Sequence, residues 1–149
     1  MHINLTLLLP RDNSTLPLVR HLAKHSLWEI GVTHDCAADI ELALTEACAN
    51  VVEHASSDDE YEVEISITDT MCEIRVVDRG HGFDFESLGR QDADTSSEGG
   101  RGIQLMRALV DNIRFQSIPE AGTVVHLVKQ LAFEGNADRA LVAPRVRSH

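Results

Sequence analysis

ELALTEACANVVEHA, running from Glu41 to Ala55, reads as a single helix. Ala37, Ile40, Leu44, Ala47 and Val51 recur at helical spacing and make one apolar stripe for a core. About a quarter turn round from that stripe stand Glu46, Asn50 and His54, each four residues after the last and so neighbours on the helix surface. A carboxylate and a carboxamide side by side next to a buried stripe are what a site needs to hold a hydrated cation and orient a nucleophile. They also fit an ordinary polar helix face, so the stretch sets the frame and the rest of the chain must decide the chemistry. Thr33 is placed to cap this helix, and Asp35 in the first turn favours its dipole.

The 149 residues suit one domain with enough apolar content to bury a core. Thirteen basic against 24 acidic side chains leave a formal charge of -11, which repels nucleic acid backbones and anionic membranes. No direct nucleic acid or membrane partner is therefore expected. An anionic ligand would need local help from a cation, backbone N–H groups or a placed arginine. Cys36, Cys48 and Cys72 are too few and too scattered for a disulfide framework, and no pair has zinc-ligand spacing, so a reducing, cytoplasmic setting is expected. Met1 to Pro10 has neither the basic start of a signal peptide nor the length of a membrane span.

Taken in order, His2 to Leu9 alternates like an opening strand and stops at Pro10, with a turn through Arg11, Asp12 and Asn13. Ser14 to Ile30 reads as a helix with Leu18, Val19, Leu22 and Leu27 inward, ended by Gly31. His21 and His25 on it lack the acidic neighbour of a protease metal motif and read as solvated surface residues. After the key helix, Tyr61 to Asp69 and Met71 to Asp78 form a hairpin, with Val63, Ile65 and Ile67 on one side. From Asp78 to Gly102 the periodicity disappears. The acid-rich run Asp84 to Gly99 is the kind of long loop that serves as a lid or stays disordered. A helix from Gly102 to Asp111 follows, then a hairpin of Asn112 to Ile118 and Thr123 to Leu131. The expected fold is a two-layer α/β sandwich, a mostly antiparallel sheet with three helices on one face. Residues 1–131 make the domain, and 132–149 are expected to form a loosely held tail.

Two glycine-bearing stretches add chemistry. Asp78-Arg79-Gly80-His81-Gly82-Phe83 puts a fixed acceptor at a strand end, where a flat base with an amino group can dock, with glycines that let backbone approach. The same pattern is also that of a turn with a capping aspartate. Gly99-Gly100-Arg101-Gly102-Ile103 opens a helix, whose unpaired N–H groups and positive dipole end suit phosphate oxygens. It is not a P-loop, having no Lys-Ser or Lys-Thr, and it lacks the third glycine of a dinucleotide fingerprint. A dinucleotide-dependent redox enzyme is disfavoured on the same ground.

In conjunction, Glu46 and Asn50 on a helix, Asp78-x-Gly80-x-Gly82 after a strand, Gly100-x-Gly102 at a helix start and Gly122-Thr123 at the last strand resemble the GHKL ATP-binding superfamily, which includes gyrase and histidine kinases. The Glu-Ala-x-x-Asn-x-x-x-His-Ala form of the helix and the run Gly-Arg-Gly-Ile-Gln-Leu-Met look most like the bacterial anti-sigma factor serine kinases of partner-switching systems. The resemblance covers residues 1–131 and implies ATP and Mg²⁺ as cofactors. It implies that Asn50 ligates Mg²⁺, that Glu46 is the general base for a serine hydroxyl or orients it, and that Asp78 accepts from the adenine amino group with Thr123 nearby. Gly80 and Gly82 would line base and sugar. Gly100, Arg101, Gly102 and Ile103 would lie over the phosphates, with Asp84 to Gly99 as an ATP lid, and His54 would support the helix end. Implied partners are a sigma factor and a STAS-type anti-anti-sigma protein phosphorylated on serine, with the kinase itself a homodimer. A module that has lost catalysis and works by sequestering its partner is the alternative.

Overall fold

A computed structural model of the chain describes residues 1–54, 60–78, 98–118 and 122–135. Its elements are β1 (His2–Leu9), a 3₁₀ turn (Asn13–Thr15), α1 (Leu16–Glu29), α2 (His34–His54), β2 (Tyr61–Thr68), β3 (Met71–Asp78), α3 (Glu98–Leu109), β4 (Asn112–Ile118) and β5 (Gly122–Gln130). The strands form one sheet in the order β1-β2-β3-β5-β4, and every neighbouring pair is antiparallel. The expected α/β sandwich is therefore present, with the sheet antiparallel throughout. Among the described residues no helix is long and apolar enough to cross a membrane.

Strand alternation decides which face meets the helices. In β2, Tyr61, Val63, Ile65 and Ile67 are buried while Glu62, Glu64, Ser66 and Thr68 are half-buried. In β3, Cys72, Ile74 and Val76 point the same way, and Asp78 follows in phase at the strand end. In β5 the matching set is Thr123, Val125 and Leu127. The opposite face is polar, with Arg75 pairing to Glu64 at 3.1 Å and His126 to Glu73 at 3.6 Å, as suits an antiparallel sheet with one solvated side.

The buried stripe of α2 is the one its periodicity predicts: Ala37, Ile40, Leu44, Ala47 and Val51 are all in the core. Thr33 caps the helix, its Oγ1 accepting from Cys36 N at 3.2 Å. α2 is the middle helix, packed between α1 and α3. α1 ends in a Schellman motif, with Gly31 N donating to Trp28 O at 3.0 Å and Val32 N to Leu27 O at 3.1 Å. Gly31 has φ +88, which explains why the helix stops at a glycine.

Three expectations need correction. The first helix does not begin at Ser14: Pro17 sits at the start of α1, and the residues before it form the separate 3₁₀ turn. Leu18 is half-exposed at 51%, because the inward stripe of α1 is Val19, Ala23 and Leu27, continued by Ile30 at its C-cap. The chain after β5 does not come loose at residue 132. Phe133 is buried and bridges to Val32, while Thr33 N donates to Ala132 O and Glu134 N to Gly31 O, both at 2.8 Å. Residues 136–149 lie outside the described residues.

The three cysteines are free thiols in the core. Burial pushes the Cys48 and Cys72 thiols up to about 12. At pH 8 their thiolate fraction is then about 10⁻⁴, so alkylation of these two in the native protein is expected to be negligible and to become rapid in denaturant. Mass spectrometry after a pulse of iodoacetamide checks this.

Candidate functional site

On the helix layer, α2 and α3 leave between them a cleft of about 360 Å³, within the range that ligand pockets fill. Asn13, Glu46, Asn50, Glu53 and Gly102 line it, with Ala49 and Leu105 as its apolar patches. Helical spacing explains the α2 contribution, since residues 46, 50 and 53 fall at successive i+4 and i+3 steps. Asn50 is almost fully buried at 3%, and its Nδ2 has no hydrogen-bond partner among the described residues. A buried polar atom left without a partner costs about 1–3 kcal/mol, so this Nδ2 is a donor suited to an acceptor that the described residues do not supply.

Gly102 supplies the opposite wall. A Cβ on it would lie 3.1 Å from Glu46 Oε2 and 3.6 Å from Asn50 Oδ1, so only a glycine leaves the two side chains their present room. Gly102→Ala is expected to leave stability level or to raise it by up to about 1 kcal/mol, since alanine favours a helix over glycine. It should at the same time lower any reaction at Glu46 by about tenfold, because the methyl pushes into that carboxylate. Urea melts alongside turnover measurements read the two effects separately.

Glu46 and Glu53 bring two carboxylates to one cleft. A polyphosphate enters such a place only with a cation to offset the charge. The oxygens available, carboxylates and the neutral Asn50 Oδ1 on the side kept open by Gly102, are the hard type that suits Mg²⁺, while the unpartnered Asn50 Nδ2 is a donor and suits a phosphate oxygen beside the ion.

At the sheet end of the same layer, Asp78 and Thr123 are register partners across β3 and β5. Both are buried, at 0% and 2%, because strand alternation turns them toward the helices. Thr123 Oγ1 has no hydrogen-bond partner among the described residues. Asp78 Oδ1 accepts from Arg11 Nη2, and the side chains of this ion pair are 0% and 5% exposed. Gly122, with φ +110, starts β5 in a conformation that L side chains rarely adopt and so brings Thr123 in beside Asp78.

Glu46 and Asn50 line one cleft, helix packing brings Gly102 against them, and Asp78 is the register partner of Thr123. Ile103 is wholly buried in the core, which leaves only its backbone for a ligand. α3 begins at Glu98, so Gly99, Gly100 and Arg101 lie within its first turns instead of forming a loop ahead of it, and the expected lid ends before them. The side chains of Arg101 and His54, and Gly80, Gly82 and residues 84–97, lie outside what the structure describes.

Sequence reasoning missed Arg11, Asn13 and Glu53. Glu53 was open to discovery, being three residues after Asn50 on a helix. Arg11 was not, because it reaches Asp78 through tertiary register. Leu9 pairs with Tyr61 and Tyr61 with Asp78, so the end of β1 lies two strands, about 9.6 Å, from the end of β3. An arginine two residues beyond Leu9 spans that gap. Asp12 then caps the 3₁₀ turn by accepting from Ser14 N at 2.8 Å, which holds its carboxyl below the usual range, and the turn presents Asn13 to the cleft.

An antiparallel two-layer sandwich with a carboxylate and a carboxamide on its middle helix, and a buried acceptor at its central strand end, defines a nucleotide-handling class of domain. The chain belongs to the histidine kinase-like ATPase domain family, whose model matches residues 9–129. It is 32% identical over 135 residues to the serine-protein kinase RsbW of Bacillus velezensis, covering 83% of this chain and 82% of that one. It is 36% identical over 106 residues to the anti-sigma F factor of Pasteuria penetrans, covering 66% and 71%. A crystal structure of the RsbU and RsbW domains of Rv1364c from Mycobacterium tuberculosis superposes with a TM-score of 0.67 at 26% identity, covering 87% of this chain and 32% of that longer one. The family and the subfamily inferred from the motifs are thus the ones the comparisons find.

Proposed function

We propose that this protein is a Mg²⁺-dependent serine-protein kinase that acts as an anti-sigma factor, binding a sigma factor and phosphorylating a serine of an anti-anti-sigma partner. The observation that carries the reading is the buried Asn50, its Nδ2 without a partner among the described residues, set beside Glu46 across from Gly102. The names of the relatives supply the substrate class and the partners. Asn50, through Oδ1, would hold Mg²⁺, which would supply the positive charge that offsets the phosphates. Asp78, with Thr123, takes the amino group of adenine. Glu46 orients the incoming serine hydroxyl and takes its proton as the hydroxyl oxygen bonds to the γ-phosphorus. The bond from that phosphorus to the β,γ-bridging oxygen breaks, and ADP leaves. Positioning and charge neutralisation do most of the work in such a transfer, which is why a few side chains on rigid elements suffice.

Calorimetric titration of ATP with and without Mg²⁺ tests the site. Wild type is expected to bind in a Mg²⁺-dependent way, and Asn50→Ala to weaken that binding by about tenfold or more, in line with the loss of one charge-assisted contact. Binding that ignores both Mg²⁺ and Asn50 would sink the kinase reading. ATP binding without any transfer to a serine partner would leave a module that works by sequestration.

A further inference from the structure

The buried ion pair at the end of the sheet concerns nucleotide recognition. Asp78 is the group assigned above to the amino group of the base, yet Arg11 Nη2 donates to its Oδ1. Neither side chain faces solvent, at 5% for Arg11 and 0% for Asp78, so the guanidinium fills space directly beside the acceptor. Thr123, opposite Asp78 in the register, keeps a buried hydroxyl without a partner among the described residues. Asp78 thus stands between the arginine that pairs with it and the threonine opposite it in the sheet, in one buried polar cluster.

We propose that Arg11 is a specificity-determining residue of the base site, holding the acceptor of Asp78 until a nucleobase amino group replaces it. The inference rests on the reading of Asp78 as the adenine acceptor. The segment that carries Arg11 is fixed by its own hydrogen bonds: Asp12 N donates to Pro10 O at 2.8 Å, Thr15 N to Asp12 O at 3.1 Å and Thr15 Oγ1 to Asp12 O at 2.8 Å. Only the long, flexible arginine side chain must swing aside, and Asn13 stays in the cleft next to Glu46 and Asn50. The exchange gives up a bond charged on both sides for one with a neutral base, so Arg11 lowers the affinity for adenine nucleotides. It also narrows discrimination. A purine with an oxygen in place of the amino group meets a donor in Arg11, whereas without Arg11 that oxygen would face a carboxylate.

The test uses the full chain, with ATP and ITP competing against a ribose-labelled fluorescent ATP in the presence of Mg²⁺. Arg11→Met keeps most of the volume and removes the donors. It is expected to tighten ATP about tenfold and to widen the preference for ATP over ITP by a similar factor. ATP binding to R11M as weak as in wild type or weaker, in a protein that does bind ATP, overturns the role of Arg11 and leaves Asp78 untouched. Failure of wild type and variant alike to bind ATP overturns the nucleotide reading of the site, and this inference with it. If R11M does not fold, wild-type protein gives the answer by NMR. The Nη protons of Arg11, protected in the free protein, are expected to exchange with water once ATP saturates the site, and continued protection at saturation overturns the proposal.

Discussion

Glu46→Gln is expected to slow serine phosphorylation by about 10²–10⁴-fold, the usual contribution of a positioned general base, while ATP affinity stays close to that of wild type. Glutamine keeps the length and planar end of glutamate, so the contact toward Gly102, where a Cβ would already lie 3.1 Å from Oε2, is not made worse. What is lost is the capacity to take the serine proton. A loose transition state asks less of the base than an associative one, which places the expected loss toward the lower end of that range. Single-turnover transfer from labelled ATP to the serine partner, alongside an ATP titration, separates the steps. A transfer rate near that of wild type would reduce Glu46 to a positioning group. A parallel loss of ATP binding would move it to the phosphate and cation side of the cleft.

That Glu46 and Asn50 share a cleft was legible because helical periodicity is a local rule. Once Ala37, Ile40, Leu44, Ala47 and Val51 face the core, residues 46 and 50 must emerge beside them. The hairpin β2–β3 was legible for a similar reason: alternation fixes which residues face in. The turn chemistry is local too, with Thr68 Oγ1 accepting from Thr70 N at 3.3 Å and Met71 N at 3.1 Å. Gly102 could be read only as part of a helix start. Its closeness to Glu46 belongs to the packing of α3 on α2, which no spacing within either helix encodes. The start of α3 at Glu98 was hidden because Gly99, Gly100 and Gly102 argue against a helix interior, and tertiary packing overrode that propensity. Phe133 was overlooked since a lone aromatic after a strand has no period, although its bridge to Val32 closes the core beyond β5. Arg11 was the least legible of all, because its partner lies 67 residues away and the two meet only through the β1-β2-β3 register.

That same register makes Asp78→Ala the substitution with the largest expected effect on stability, a loss of about 3–5 kcal/mol. Removing the carboxylate leaves a guanidinium that is 5% exposed buried without its counter-charge. It also cuts the link by which the segment after β1 is tied to the central strand two positions away in the sheet. Asp78→Asn keeps an acceptor of the same shape and is expected to lose roughly half as much, since a neutral hydrogen bond is about half as strong as a charged one. The double variant Arg11→Met/Asp78→Ala removes both charges, and replacing a buried ion pair by apolar groups is often close to neutral. Most of the lost stability should therefore return in the double variant, giving a coupling energy of about 2–3 kcal/mol in a urea-denaturation cycle. ATP binding should not return with it, because the acceptor for the base is still missing. A single Asp78→Ala loss below about 1 kcal/mol would mean that the pair contributes little to the fold. Recovery of ATP affinity in the double variant would mean that Asp78 never read the base.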